Sequence, residues 1–341
     1  MDSQNTFSVM MFFKLPENER IELINQMHEE SRMPQVIIEK DLWVTALLRS
    51  LFALPYAANL SFKGGTSLSK CWNLIERFSE DVDIAINREF FGFVGDVFTV
   101  KQISKNLRKS TCKFTRDTLQ FDLDRQMKSD GIPTDLFSIT MDITPVTTVD
   151  PEKIFVEYKS VFNASPYIKN IVVLEIGGRS MKEPIQKVEI SSFLDNHFSR
   201  AVFSEKPFEI NVVVPERTFL EKICLLHEEF SKPKEHIRVE RMSRHLYDLA
   251  RMTDTPIANN ALNNNELFES IVAHRRMFIA MKDFDYDTLS PKTIKIVPPE
   301  SIIADWEDDY NKMQIMIYGD QLSFSDMIEK ITKLNEEINR L

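Results

Sequence analysis

The stretch LPENERIELINQMHEESR repeats apolar residues at Ile21, Ile24 and Met27, the interval of a helix face. After it, PQVIIEKDLWVTALLRSLFAL keeps helical period behind a proline near its start, so the pattern predicts helices to about Tyr56. A short strand, LSFKG, follows. The turn Gly64-Gly65 then opens a helix expected from about Ser67 to Glu76, and DVDIAI reads as the next strand. Past a helical, partly basic stretch the period changes. The segments LFSITMDITPV, IFVEYKSVF, NIVVLEIGG, QKVEISSF and FEINVVV are rich in Val, Ile, Thr and Phe, as the strands of a sheet are. From Pro215 the helical interval returns, beginning with PERTFLEKICLLHEEF and ending with the amphipathic SFSDMIEKITKLNEEINRL. The expectation is an α+β fold: a mixed β-sheet core flanked by helices over residues 1–214, then a mostly helical C-terminal lobe over 215–341. No repeat of fixed period and no low-complexity tract interrupts this order.

Composition narrows the class. With 341 residues, 43% of them hydrophobic, the chain can bury a sizeable core. It has no uncharged apolar run of about 18 residues or more, and MDSQNTFSVMMFFKL lacks a basic region and a small-residue cleavage site, which predicts a cytoplasmic protein without a membrane span. Three widely spaced cysteines, Cys71, Cys112 and Cys224, fit a reducing compartment and neither a disulfide framework nor a zinc site. A formal charge of −10 argues against indiscriminate nucleic-acid binding. One local basic segment runs against that balance: Lys101, Lys105, Arg108, Lys109, Lys113 and Arg116.

The candidate chemistry lies around FKGGTSLSKCWNLIERFSEDVDIAI, which uses two of the chain's eight glycines side by side. Alternation in a strand sends Asp81 and Asp83 to one face, with carboxylates about 7 Å apart, and Val82, Ile84 and Ile86 to the other. Like charges so placed repel unless a cation lies between them, and Mg²⁺ takes carboxylate and phosphate oxygens. A solvated edge strand would account for the pair without any ligand. The Gly-Gly turn adds weight to the functional reading, because glycine lets a phosphate approach the backbone and a helix start offers free N–H groups. Thr66 and Ser67 add hydroxyls.

Gly-Gly-Thr at a helix start with Asp-x-Asp on the next strand resembles the polymerase-beta-type nucleotidyltransferase superfamily. The fuller set, KGGTSLSK with RFSEDVDIAI, preceded by IIEKDLWVTALL and followed by NIVVLEIGGRS, PERTFLEKICLLHE, SRHLYDLARM and DWEDDYNKMQIMIYG, is similar to the AbiEii-type nucleotidyltransferase toxins of type IV toxin-antitoxin and abortive-infection systems. The resemblance runs from about Glu39 to Gly319 and implies a nucleotidyltransferase-like sheet core. It implies nucleotide binding at Lys63, Gly64, Gly65, Thr66 and Ser67, and metal binding at Asp81 and Asp83. A third carboxylate would complete the metal site, with Glu175 as the choice and Asp142 as the rival. Lys222 matches the family's triphosphate lysine and Asp248 its late aspartate. The implied reaction moves a nucleoside monophosphate from an NTP, with Mg²⁺ or Mn²⁺, to an RNA acceptor, foremost the tRNA 3′ end. The implied outcome is blocked translation and growth in a toxin-antitoxin or anti-phage system, with an antitoxin protein as partner.

Plainer readings stand beside these. Lys222 could be a solvated lysine on an amphipathic helix, and Asp248 could form a surface pair with Arg244 four residues earlier. Arg77 could tie down the loop before Asp81. His227, His236 and His245 recur every nine residues, which does not suit a shared metal site on one helix. The acceptor could instead be a protein side chain, or the chain could be a non-catalytic nucleotide-binding partner in a defence complex.

Overall fold

The structure, a computed structural model, describes residues 10–79, 81–94, 100–162, 169–180 and 183–341, without the side chains of 100–103 and 179–180. The N-terminal stretch to Val9, Glu80 and the side chain of Lys101 lie outside the described residues. Two compact units result. The first runs to Ser67 and resumes from Ser79 to Val212; the second comprises Leu68–Phe78 and Val213–Leu341. The short segment Leu68–Phe78 departs from a single break near residue 215 because Leu68 and Ile75 are buried in the second unit's core.

The first unit carries α1 (Glu17–Ser31), α2 (Gln35–Phe52), β1 (Leu60–Lys63), the start of α3 (Gly64–Lys70) and β2 (Asp81–Asn87). It continues with α4 (Val100–Phe114), α5 (Gln120–Ser129), β3 (Phe137–Met141), β4 (Glu152–Tyr158), β5 (Ile171–Ser180), β6 (Ile185–Ile190), α6 (Phe193–His197) and β7 (Phe208–Val213). The seven strands form one sheet in the order β3-β4-β5-β2-β1-β7-β6. It is mixed: β2 runs parallel to β5 and β1 to β7, whereas β1–β2, β3–β4 and β4–β5 are antiparallel.

Period-two alternation gives this sheet two unlike faces. Phe62, Val82, Ile84, Ile154, Val156, Val172, Leu174 and Ile176 are buried, while Lys63, Asp81, Asp83, Lys153 and Glu175 between them keep access to solvent. Trp43 of α2 stacks on Tyr158 of β4 at 5.1 Å, and Phe13 meets Trp43 at 4.6 Å. Each fully buried leucine of α2, such as Leu47 and Leu51, stabilises this core by roughly 1.5–3 kcal/mol. Gly178 is needed where α4 crosses β5, since a Cβ there would stand 1.8 Å from Thr111 Oγ1.

Two elements end earlier than their patterns suggest. Helix α3 stops at Lys70, because Asn73 takes a left-handed conformation (φ 50°) and the Leu74 N–H donates back to the Leu68 carbonyl at 3.0 Å. Strand β3 stops at Met141, ahead of Pro145, which cannot supply a ladder donor, and Asp142 to Val146 are exposed.

The second unit contains α7 (Pro215–Phe230), α8 (Ser243–Met252), α9 (Pro256–Leu262), α10 (Asn265–His274), α11 (Ile303–Met313) and α12 (Phe324–Ile338). Pro215 occupies the first turn of α7, where a missing N–H costs nothing. On α12 the buried residues Met327, Ile331, Leu334 and Ile338 recur at helical interval, and Ser323 caps the start by accepting from the Asp326 N–H at 3.1 Å. These side chains join Phe219, Leu226, Leu246, Trp306 and Tyr310 in one core. Among the described residues no helix is long and apolar enough to cross a membrane. All three cysteines are free thiols.

Candidate active site

Strand pairing builds the site from four neighbouring strands. Lys153 of β4 pairs with Glu175 of β5, Glu175 with Asp83 of β2, and Asp83 with Lys63 of β1. Partners in register point to the same side of a sheet, at strand spacings of about 4.8 Å. The solvent-accessible face therefore carries a row of charges in the order plus, minus, minus, plus, with Asp81 two residues from Asp83 on the same side. Asp142 lies just beyond β3 at the sheet edge, about three strand spacings or roughly 14 Å from β2, so the structure brings Glu175 and not Asp142 together with the aspartate pair.

The glycine turn closes against this row. Gly64 has φ 80°, and a Cβ on it would fall 2.0 Å from Asp83 Oδ2, so glycine is required both by conformation and by space. The Thr66 hydroxyl donates to the Asp81 carbonyl, and the Ser67 hydroxyl donates to the Gly64 carbonyl at 2.8 Å. Both side chains are buried, and their hydroxyl protons hold the turn to β2 and to itself.

These residues fit a divalent cation and a polyphosphate. The Lys153 ammonium sits 2.6 Å from Glu175 Oε1 and also feels Asp81 and Asp83, so one cation already stands before three carboxylates. Its hydrogen bond to Glu175, together with that charge, raises the Lys153 pKa against the opposing effect of burial. Among the described residues no three His, Cys, Asp or Glu side chains form a ready-made metal cage. Mg²⁺ does not need one, since it is commonly held by one or two carboxylates with substrate phosphates and water.

Within the second unit, Lys222 of α7 and Asp248 of α8 meet in a buried cluster. Asp248 is 0% exposed and Lys222 7%, so neither is the solvated surface group that a plain amphipathic pattern allows. Arg77 donates to both Asp248 carboxylate oxygens, at 2.6 and 2.7 Å, while Lys222 Nζ lies 2.9 Å from Asp248 Oδ2 and 3.3 Å from His245 Nδ1. Burial alone would raise the Asp248 pKa, but the charges of Arg77 and Lys222 outweigh it and hold the group well below the usual carboxylate range. Burial pulls Lys222 down, in part against Asp248, and burial with the Lys222 charge keeps His245 neutral. Arg77 also donates to the Phe78 carbonyl at 3.2 Å and pairs across a bridge with Ile317.

Two groups of residues escape a reading of the sequence. Lys153 looks like any outward lysine in EKIFVEY, and only the β4–β5 register sets it against Glu175. Glu39, Lys40 and Asp41 of α2 are buried clips: Glu39 accepts from the Val161 N–H at 2.9 Å, Lys40 donates to the Lys169 carbonyl at 2.9 Å, and Asp41 accepts from the Phe193 N–H at 2.7 Å. Three consecutive charges inside a helix rich in apolar residues were the available signal.

Three solved structures are similar to this chain at 16% identity. JHP933 from Helicobacter pylori has a TM-score of 0.44, with 89% of this chain and 93% of that chain covered. A putative nucleotidyltransferase from H. pylori has a TM-score of 0.46, with 89% and 95% covered. MenT4, a nucleotidyltransferase toxin from Mycobacterium tuberculosis H37Rv, has a TM-score of 0.41, with 96% and 97% covered. No curated protein matches the chain. The model of the family described as "Nucleotidyl transferase AbiEii toxin, Type IV TA system" matches residues 46–330. That span takes in the glycine turn, the Asp81–Asp83 strand, Glu175, Lys222 and Asp248, and the chain is therefore a nucleotidyltransferase of the AbiEii toxin family of type IV toxin-antitoxin systems.

Proposed function

We propose that the protein transfers a nucleoside monophosphate to an RNA acceptor, foremost the tRNA 3′ end, in a Mg²⁺-dependent reaction that blocks translation and growth. Membership of the family brings an NTP substrate, a divalent metal in general terms and an antitoxin partner. The finer reading adds the acceptor, the metal and a cytoplasmic, anti-phage setting. One observation carries the metal-dependent transfer itself: Asp81 and Asp83 share the accessible face of β2, in register with Glu175, with the Gly64 turn closed onto Asp83.

Asp81 and Asp83 would hold the cation, which when bound supplies charge neutralisation on the triphosphate. The backbone of Gly64 to Ser67 would position the phosphates, with Lys63 beside Asp83 adding positive charge. A hydroxyl of the acceptor attacks the α-phosphorus, its proton passes to one of the carboxylates of the row, Asp81, Asp83 or Glu175, and the bond from the α-phosphorus to the α,β-bridging oxygen breaks to release pyrophosphate. We assign Lys222 the charge-neutralising role that the family resemblance gives it, with Asp248 as the aspartate that holds it. Lys105, Lys109 and Lys113, exposed and four residues apart on α4, are the proposed RNA contacts. Arg116 is excluded from that stripe, because it is committed to Glu152 at 2.7 Å and to the Thr144 carbonyl at 2.8 Å.

The test incubates the protein with total RNA and each labelled nucleotide in turn, with Mg²⁺ or with a chelator. Label in tRNA that is lost on chelation, in Asp81→Asn and in Asp83→Asn supports the proposal. Label that survives ribonuclease and disappears with protease would assign a protein acceptor, and wild-type labelling by Asp83→Asn would remove the metal site.

A further inference from the structure

The buried cluster around Lys222 contains a group that the proposed reaction does not use. His245, one turn before Asp248 on α8, brings Nδ1 to 3.3 Å from Lys222 Nζ. An ammonium only donates, so Nδ1 is the acceptor and the ring proton sits on Nε2. The ring is neutral, as this contact requires, because burial and the positive charges of Lys222 and Arg244 hold its pKa well below the ordinary histidine value. Asp248 is a divided partner: Arg77 donates to both of its oxygens, at 2.6 and 2.7 Å, and Lys222 shares Oδ2 at 2.9 Å. Among the described residues, His245 Nδ1 serves Lys222 alone. A lysine carries its charge on a flexible four-carbon stem, which can pivot about a single acceptor; a second acceptor on another residue pins the ammonium. With two N–H groups so engaged, the third is the donor left for a phosphate oxygen.

We propose that His245 is a positioning residue that pins the Lys222 ammonium against Asp248, so that its remaining N–H meets the triphosphate. This inference rests on the assignment of Lys222 to the triphosphate above.

The test is a double-mutant cycle read by nucleotide binding to the full chain. Each variant is dialysed to equilibrium with Mg²⁺ and an equimolar mixture of the four α,β-methylene ribonucleoside triphosphates, and the apparent Kd for total nucleotide is set beside the urea midpoint. His245→Leu keeps bulk but has no acceptor, and should weaken binding about tenfold, the size of one hydrogen bond to a charged group. His245→Asn returns an acceptor near the place of Nδ1 and should stay within about threefold of wild type. In the Lys222→Met background His245→Leu should add less than about twofold, because the group it positions is gone. A role in packing alone would weaken binding equally in both backgrounds. His245→Met replaces the leucine variant should that fail to fold by circular dichroism. Wild-type affinity in His245→Leu, equal losses in the leucine and asparagine variants, or the same loss repeated in the Lys222→Met background overturns the role of His245 and leaves Lys222 in place. Wild-type affinity in Lys222→Met overturns the underlying reading of Lys222 as well.

Discussion

At the scale of single residues, Gly64 shows how closely chemistry and backbone are joined. Its φ of 80° lies where a side chain is strained, and its missing Cβ is the space that Asp83 Oδ2 occupies. Gly64→Ala should therefore cost about 1–2 kcal/mol of stability from conformation. It should cost far more in function, because the carboxylate end must move; a displacement of about 1 Å in a reacting group can lower rates roughly 100-fold. Denaturant midpoints and nucleotide-labelling rates measured together separate the two effects, and an unchanged labelling rate would show that Asp83 has no fixed place to keep. Gly64, Asp81 and Asp83 were legible in the sequence because glycine doublets and period-two carboxylates are local signals. The engagement of Thr66 and Ser67 with backbone carbonyls was not, since a hydroxyl beside a glycine turn can point to ligand or to chain with equal chemical sense. Nor was the partner of Lys153, which depends on a register between strands.

At the scale of elements, α7 and α8 bury charge in a pattern that amphipathicity alone does not reveal. The apolar interval located both helices, but it could not show that Lys222 and Asp248 face inward to each other and to Arg77, which is far away in sequence. Removing the carboxylate's charge while leaving two cations buried is expensive, typically 3–5 kcal/mol for a broken buried pair. Asp248→Asn should destabilise the second unit by about that amount in urea denaturation, while Asp83→Asn, on an accessible face, should leave the midpoint nearly unchanged. A loss of activity in Asp248→Asn without loss of stability would instead assign Asp248 a purely chemical role. Helix α7 also sets a pH response. The Lys295 N–H donates to His227 Nδ1 at 3.0 Å, leaving His227 Nε2 to donate to Thr288 Oγ1 at 3.1 Å, and only a neutral ring can do both. Burial, with the Lys295 charge, lowers the His227 pKa from 6.5 to about 4. A base with a depressed folded pKa binds its proton more readily when unfolded, so its stabilisation is complete above about pH 6.5 and is lost as pH falls toward 4. The span corresponds to at most about 3 kcal/mol. His245 shifts in the same direction, whereas Asp248 acts only in stronger acid, so His227→Gln should flatten part of the decline between pH 6.5 and 4. An identical pH profile in that variant would remove His227 from the account.

At the scale of the whole molecule, the fold class and the change to helices near Pro215 were legible because hydrophobic period survives in a single sequence. The strand order was not: β2 lies between β1 and β5, and nothing in the chain's linear order places Glu175 beside Asp83. Charge distribution behaves in the same way. A net charge of −10 describes an acidic protein, yet along α4 the exposed lysines 105, 109 and 113 recur every four residues and form one basic stripe. An acidic protein approaching a polyanion must do so through such a feature, and each phosphate contact contributes close to one unit to the slope of log affinity against log salt. Lys105→Glu/Lys109→Glu/Lys113→Glu should therefore weaken RNA binding and reduce its salt slope by up to about 3, while nucleotide binding and the denaturation midpoint stay near wild type. Arg116→Glu, by contrast, should act on stability, because it leaves the buried Glu152 beside a second carboxylate. Filter binding of labelled tRNA across a salt series reads the slope, and an undiminished slope in the triple variant would move the RNA contact away from α4.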